Sequence, residues 1–182
     1  MNKWNASYRN KTKEMGPIAY GDTCTYGKGY EFLKTCKKVE DWGCGLGGFK
    51  RFIKPEDSIE YVGIDGSITP WADVKADLTN YKSETEGIFM RHIIEHNFEW
   101  EQLLHNAFQS FSKKMCLILF TPFTEVTRQI AYNLVHGVDV PDMSFSKDDL
   151  TKLMEQYGIT YRLETYATST QYGIEHVFYL EK

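Results

Sequence analysis

The sequence is short of several features that would narrow its class at once. No apolar run approaches the roughly 18 residues that a membrane span requires. Cysteine is scarce: the 4 cysteines, at positions 24, 36, 44 and 116, form no C-x-x-C pair. That spacing suggests neither a zinc site nor a disulfide framework, and it fits a reducing compartment. No excess of positive charge is present either. Lys and Arg number 21 against 25 Asp and Glu, for a net charge of -4, and the pI is about 5.8. Duplex nucleic acid is therefore not an expected partner. Lys3, Arg9, Lys11 and Lys13 read as a solvated arm. No apolar leader opens the chain, so a cytoplasmic location is expected, and the sequons at Asn5 and Asn10 read as chance. Internal repeats and low-complexity tracts are absent. What is present is ordinary and sufficient: 182 residues, 42% hydrophobic and 15% aromatic, enough for one domain with one real core.

Patterning divides the chain into alternating elements. Residues 1–25 are polar with isolated aromatics and read as an arm. Tyr26, Tyr30 and Leu33 recur at helical steps and predict a short helix over 26–36, with Gly27 and Gly29 weakening its first turn. A first strand is expected over 38–42, then a helix over 47–53 limited by Pro55. Strands follow at 59–65, 71–76 and 87–91. Only about a turn fits between the second and third, which is short for a parallel crossover. Trp100, Leu103, Leu104, Ala107, Phe108 and Phe111 form one apolar stripe of a helix. Met115 to Phe120 reads as a buried strand. Residues 121–145 are mixed and end in a turn at Pro141-Asp142. Ser146 opens a capped helix with Leu150, Leu153, Met154 and Tyr157 inward, and Gly158 closes it. Two last strands, 159–167 and 175–180, join through Gly173. Such alternation implies an α/β domain with a mostly parallel sheet and helices on both faces. Ligands of such sheets sit beyond the carboxyl ends of the strands. Residues 41–47, Asp65, Asp77, Arg91-His92 and Thr121 should therefore share one rim.

The strongest motif is Val39 to Gly48, V-E-D-W-G-C-G-L-G-G. Alternating glycines let a loop turn sharply and let its backbone touch a ligand. Gly43, Gly45 and Gly48 also satisfy G-x-G-x-x-G, the dinucleotide pattern. A pyrophosphate favours a helix N-terminus, and the neighbouring carboxylate of Asp41 works against that anion. A ligand that is cationic at this end suits the loop better. Asp65, at the end of the second strand, can accept hydrogen bonds from ribose hydroxyls. His92 and His96 frame H-x-x-E-H with Glu95, a metal-binding pattern when carried on a helix. The preceding strand and the want of a third ligand favour the sheet reading, and no metal is expected.

The D-x-G-x-G-x-G of Asp41, Gly43, Gly45 and Gly47, with Cys44, resembles motif I of the class I S-adenosylmethionine (SAM)-dependent methyltransferases. The resemblance covers about residues 38–182, with the Ile94-Glu95-His96 ending that many small-molecule members carry after strand four. It implies a doubly wound, Rossmann-like, seven-stranded sheet with an antiparallel last strand, in three α/β/α layers. It implies SAM as cofactor and S-adenosylhomocysteine as product. It implies a cofactor site of Tyr26, Asp41, Gly43, Cys44, Gly45, Gly47, Asp65, Gly66, Asp77, Leu78, Arg91 and His92. Asp65 would take the ribose, and Asp77 with Leu78 the adenine. His92 is the candidate base, since a neutral histidine can take a proton from an acceptor near pH 7. Tyr20, His96, Thr121, Phe123, Arg128, Tyr132 and His136 are the candidate acceptor contacts. Arg91 and Arg128 hint at an acidic or phosphorylated acceptor. Residues 1–37 would be an arm and helix covering the site, and 38–182 the cofactor-binding domain. The expected activity is methyl transfer to an oxygen or nitrogen of a small polar molecule such as a sugar, a glycan precursor or a secondary metabolite, by a monomer or homodimer. The second reading is a non-catalytic SAM-binding subunit, with the cofactor rim kept and the acceptor pocket blocked.

Overall fold

A computed structural model describes residues 8, 10–19, 21–134 and 139–182. In chain order the elements are α1 (Cys24–Leu33), β1 (Lys38–Trp42), β2 (Glu60–Asp65), β3 (Val74–Lys75), β4 (Thr85–Arg91), α2 (Trp100–Ser110), β5 (Phe111–Leu119), β6 (Arg128–Asn133), β7 (Val140–Ser144), α3 (Lys147–Gln156), β8 (Thr160–Ala167) and β9 (Ile174–Glu181). Seven strands form one sheet in the order β3-β2-β1-β4-β5-β9-β8. β1 to β5 run parallel. β9 lies antiparallel between β5 and β8. The chain leaves β1 for one edge and returns to β4 on its other side, which puts a topological switch point at the carboxyl end of β1.

The strands hold this arrangement by strict two-residue alternation. In β4, Ile88 and Met90 enter one core while Phe89 enters the other. In β5 the same division separates Met115, Leu117 and Leu119 from Cys116 and Ile118, and in β9 it separates Phe178 and Leu180 from Val177 and Tyr179. α2 and α3 cover the first face with Leu103, Leu104, Phe108, Leu150 and Met154. α1 covers the second with Tyr26, Tyr30 and Leu33, the stripe the sequence predicts. At Ser146 the side chain accepts from the Asp149 N–H and caps α3. Gly158, at φ 64°, ends it in the left-handed conformation.

Three expectations need correction. The glycine loop leads only into a 3-10 turn, Phe49–Phe52, and not into an α-helix. The third strand shrinks from six residues to Val74–Lys75, which pairs with Ile64 and Asp65 at the tip of β2. The chain hardly runs back along the sheet between these strands, so the short link needs no helix. Pro141-Asp142 is not a turn. Both residues lie in β7, opposite Tyr132 and Ala131, in a separate two-stranded sheet with β6. A strand can hold them there because its hairpin is all edge, where proline is tolerated. The buried Asp142 carboxylate also accepts from Tyr172 Oη at 3.0 Å and Gln171 Nε2 at 3.3 Å.

Candidate active site

A cavity of about 1030 Å3 opens at the carboxyl ends of β1, β2, β3 and β4. Its floor is the glycine loop. Gly43, Gly45 and Gly47 have φ of 79°, 50° and 75°, a region that side chains with a Cβ rarely enter. Gly43 also has no room for one, since a Cβ there would stand 2.0 Å from Ile93 Cδ1. The loop is pinned from below. Gly43 and Cys44 donate their N–H groups to the Ile64 carbonyl at 2.8 and 3.0 Å. Gly45 N donates to Asp65 Oδ2 at 2.9 Å, and Ser67 N to Oδ1 at 2.7 Å. The Thr69 hydroxyl donates to the Gly45 carbonyl in a short bond. Burial raises the Asp65 pKa, while these two N–H groups oppose the rise.

Asp65, Gly66, Asp77, Leu78 and Thr79 continue the wall. Asp77 Oδ1 accepts from Thr79 N at 3.0 Å and Oγ1 at 2.8 Å, while Asn106 Nδ2 on α2 ties down the Leu78 carbonyl at 3.0 Å. The arm passes above. Ile18 N donates to the Leu46 carbonyl at 2.8 Å, and Tyr8 lines the cavity beside Gly45.

The exit of β4 carries the charged groups. Arg91 Nη2 meets Glu175 Oε1 at 2.7 Å. The same guanidinium donates to Thr25 Oγ1, Tyr26 Oη and the Asp22 carbonyl, and it lies 4.3 Å over the Tyr26 ring. His92 Nε2 lies 2.5 Å from Glu175 Oε1. Burial pushes His92 down to about 4, against the pull of Glu175, so the ring is neutral at pH 7. Further along, His96 Nδ1 faces the Pro141 carbonyl at 3.0 Å and Asp142 Oδ1 at 3.3 Å. Burial works against a charge on His96, but Asp142, Glu95 and Pro141 outweigh it and its pKa rises. Glu95 is fully buried, its Oε1 accepting from Phe120 N at 2.7 Å. Burial carries it up to about 7. His92 has φ 57° and residues 94–96 form a 3-10 turn. The two histidines therefore do not share the helix face that the H-x-x-E-H pattern needs.

Most predicted residues meet at this cavity: Tyr26, Gly43, Cys44, Gly45, Asp65, Gly66, Asp77, Leu78, Arg91, His92 and His96 all line it. Others do not. Asp41 lies one layer lower, 3% exposed, accepting from Tyr61 Oη at 2.9 Å, and burial lifts its pKa to about 7. Gly47 packs against Trp71 and Pro17 outside the cavity. Thr121 is buried, donating to the Met143 carbonyl at 2.9 Å. Phe123 stacks on His176, ring centroids 4.0 Å apart. Arg128 and Tyr132 are exposed on β6, off the cavity wall. Tyr20 and His136 lie outside the described residues. The far wall comes instead from Phe120, Asn133, Val140, Pro141 and Gln171, with Asn97 and Phe98 at its side. Glu175 escaped sequence reading, although an acid sharing a strand face with Val177 and Tyr179 is a signal of buried pairing.

No family model matches the chain, and no curated protein matches it in sequence. Solved structures do match. One is a Burkholderia thailandensis 1,6-didemethyltoxoflavin-N1-methyltransferase with 1,6-didemethyltoxoflavin and S-adenosylhomocysteine bound. It has 14% identity and a TM-score of 0.62, over 88% of this chain and 78% of that one. Another is the magnesium protoporphyrin IX methyltransferase of Synechocystis PCC 6803 with S-adenosylhomocysteine, at 13% identity, TM-score 0.64, and 88% and 83% coverage. The N-terminal domain of EvdMO1, again with S-adenosylhomocysteine, matches at 11% identity and TM-score 0.64 over 93% of both chains. At such identities the likeness carries the architecture, and the chain has the Rossmann-like fold of the class I SAM-dependent methyltransferases.

Proposed function

We propose that the protein transfers a methyl group from SAM to an oxygen or nitrogen of a small polar acceptor. One observation carries the reading: a single continuous cavity runs from the glycine loop and Asp65 past His92 to the wall formed by the β6–β7 hairpin. A non-catalytic subunit with a blocked acceptor pocket would lack that second half. The donor set suits SAM and not a dinucleotide. The loop opens into the 3-10 turn Phe49–Phe52 and not into the α-helix whose N-terminus a pyrophosphate favours, and the Asp65 carboxylate at the rim tolerates a sulfonium. Asp65 would accept from the ribose hydroxyls, Asp77 and Leu78 would meet the adenine, and the loop backbone at Gly43 to Gly45 would face the amino-acid end. Bound SAM supplies a methyl group already activated by positive sulfur. The chain contributes position, dryness and a neutral His92 beside the acceptor.

The acceptor end is not built for an acid. Arg91 is neutralised by Glu175, and Arg128 is exposed off the cavity. The imidazole rings of His92 and His96, Phe120 and the amides of Asn97, Asn133 and Gln171 suit a neutral polar molecule, planar at least in part. The described residues before β1 act as cover in this reading, since Tyr8, Ile18 and Tyr26 all reach the cavity. Among the described residues no helix is long and apolar enough to cross a membrane. Calorimetry with SAM and with S-adenosylhomocysteine tests the first half of the proposal, and absence of binding at millimolar ligand refutes it. Transfer of labelled methyl to a panel of small hydroxyl and amine acceptors tests the second half. His92→Ala should lower turnover on hydroxyl acceptors about 10²–10⁴-fold while SAM still binds.

A further inference from the structure

We infer that Glu175 is the positioning residue for His92, fixing it as the tautomer that can take a proton from a hydroxyl acceptor. The inference deepens the reading above and rests on it. Three independent features converge on this pair. His92 has φ 57°, and among the described residues it is the non-glycine position with a positive φ. Such a conformation persists where the surroundings enforce it. The enforcement is visible: the His92 N–H is held by the Ile118 carbonyl at 3.0 Å, and the ring is drawn to Glu175 at 2.5 Å. Second, Glu175 is completely buried, although it stands only two residues into β9. Both its oxygens are engaged: Oε1 takes His92 and Arg91, and Oε2 accepts from Thr25 Oγ1 at 3.2 Å. Third, the contact to His92 is shorter than the contact to Arg91. A glutamate present only to balance Arg91 would have no need to grip a ring that lines the cavity.

The chemistry follows from which nitrogen is engaged. A carboxylate only accepts, so the neutral ring must carry its proton on Nε2. Nδ1 is then the ring's acceptor. In the transfer, the acceptor oxygen forms its bond to the methyl carbon as the carbon–sulfur bond breaks, and sulfur keeps that electron pair as a neutral thioether. The hydroxyl proton passes to His92 Nδ1. The resulting imidazolium lies against Glu175 until it returns the proton to solvent. Arg91 shares the same carboxylate oxygen. An amine that arrives neutral needs no such base before attack, so the arrangement points to hydroxyl-bearing acceptors.

Ring-nitrogen NMR of the ligand-free, 15N-histidine-labelled protein at pH 7 tests this without an acceptor. The expected His92 pattern is the Nε2–H tautomer with that proton far downfield, lost or mixed with the Nδ1–H form in Glu175→Gln. An Nδ1–H tautomer in the wild type overturns the inference whether or not the variant folds. So does a Glu175→Gln spectrum identical to wild type. With a hydroxyl acceptor from the panel, Glu175→Gln should lower kcat roughly 10²-fold, the scale of a lost general base, with KM for SAM unchanged. An unchanged kcat also overturns it. Calorimetry with SAM on the same samples separates the two ideas: no SAM binding refutes the methyltransferase reading, whereas binding with the wrong tautomer refutes only the role of Glu175.

Discussion

Gly29→Ala should destabilise the protein although it improves the helix. Gly29 lies inside α1 where the helix crosses β4. A Cβ there would stand 2.4 Å from Phe89 Cε2, 2.8 Å from Cδ2 and 3.3 Å from Cys116 Sγ. Carbon atoms rest at about 3.5–4.0 Å, so the overlap exceeds an ångström. The Phe89 ring has nowhere to go. It is 1% exposed, stacks on Phe49 at 4.0 Å and 12°, and has Tyr26 5.8 Å away on another side. The helix must therefore lift from the sheet. Overpacking costs about 1–3 kcal/mol, and this site belongs at the upper end. Replacing glycine by alanine in a helix returns about 1 kcal/mol. The net is about 2 kcal/mol of destabilisation, or a Tm about 4–8 °C lower for a chain of this size. Urea and thermal melts followed by circular dichroism give the number. A variant as stable as wild type, or more so, would refute the reasoning. Phe89→Leu supplies the cross-check: in that background Gly29→Ala should lose most of its cost, a non-additivity expected only of groups in contact.

Three further outcomes can be measured. Glu95 keeps its proton in the fold up to about pH 7 against an ordinary value of 4.5, so its contribution is present at low pH and lost as pH rises through 7. Glu95→Gln should therefore raise stability by about 3 kcal/mol at pH 8 and by only about 1 kcal/mol at pH 5; Asp41, which burial also lifts to about 7, and His92 and His176, which it lowers to about 4, share the slope that remains. An unaltered pH dependence in urea melts would contradict this. Ser146→Ala removes the acceptor that caps Asp149 N at 3.4 Å, and should lower stability by about 1 kcal/mol in the same melts. Asp65→Ala loses two hydrogen bonds to the proposed ribose, each worth about 1.5–3 kcal/mol to a charged group, so calorimetry should find SAM affinity lower by at least roughly 10²-fold; full affinity in a folded variant would remove Asp65 from the site.

The fold was legible where periodicity is strong. The stripe of α2, the cap of α3 and the apolar runs of β4 and β5 are local signals, and each element is present, although β5 starts four residues before the run, at Phe111, which the helical stripe claims. The glycine loop was legible for the same reason, since backbone geometry at Gly43 and Gly45 depends on those residues themselves. Contacts that span the chain were not. Glu175 meets His92 across 83 positions, and nothing near either residue announces the other. Gly29 reads as a weakness of its helix until Phe89 is beneath it. Pro141-Asp142 reads as a turn until His96, Gln171 and Tyr172 surround it. Asp41 reads as a rim carboxylate, yet its place in β1 turns it towards Tyr61, below the loop.

The β6–β7 hairpin pairs with itself and not with the seven-stranded sheet. Its residues 128–144 form one uninterrupted stretch, and Asn133, Val140 and Pro141 within it face the cavity. The glycine loop, Asp65 and Asp77 lie earlier in the chain, at and beyond the carboxyl ends of β1, β2 and β3. Two jobs are thus written in two separable passages of sequence. Under the proposed function, a lineage could rewrite the second passage to admit a different acceptor, and the first would go on holding the same cofactor.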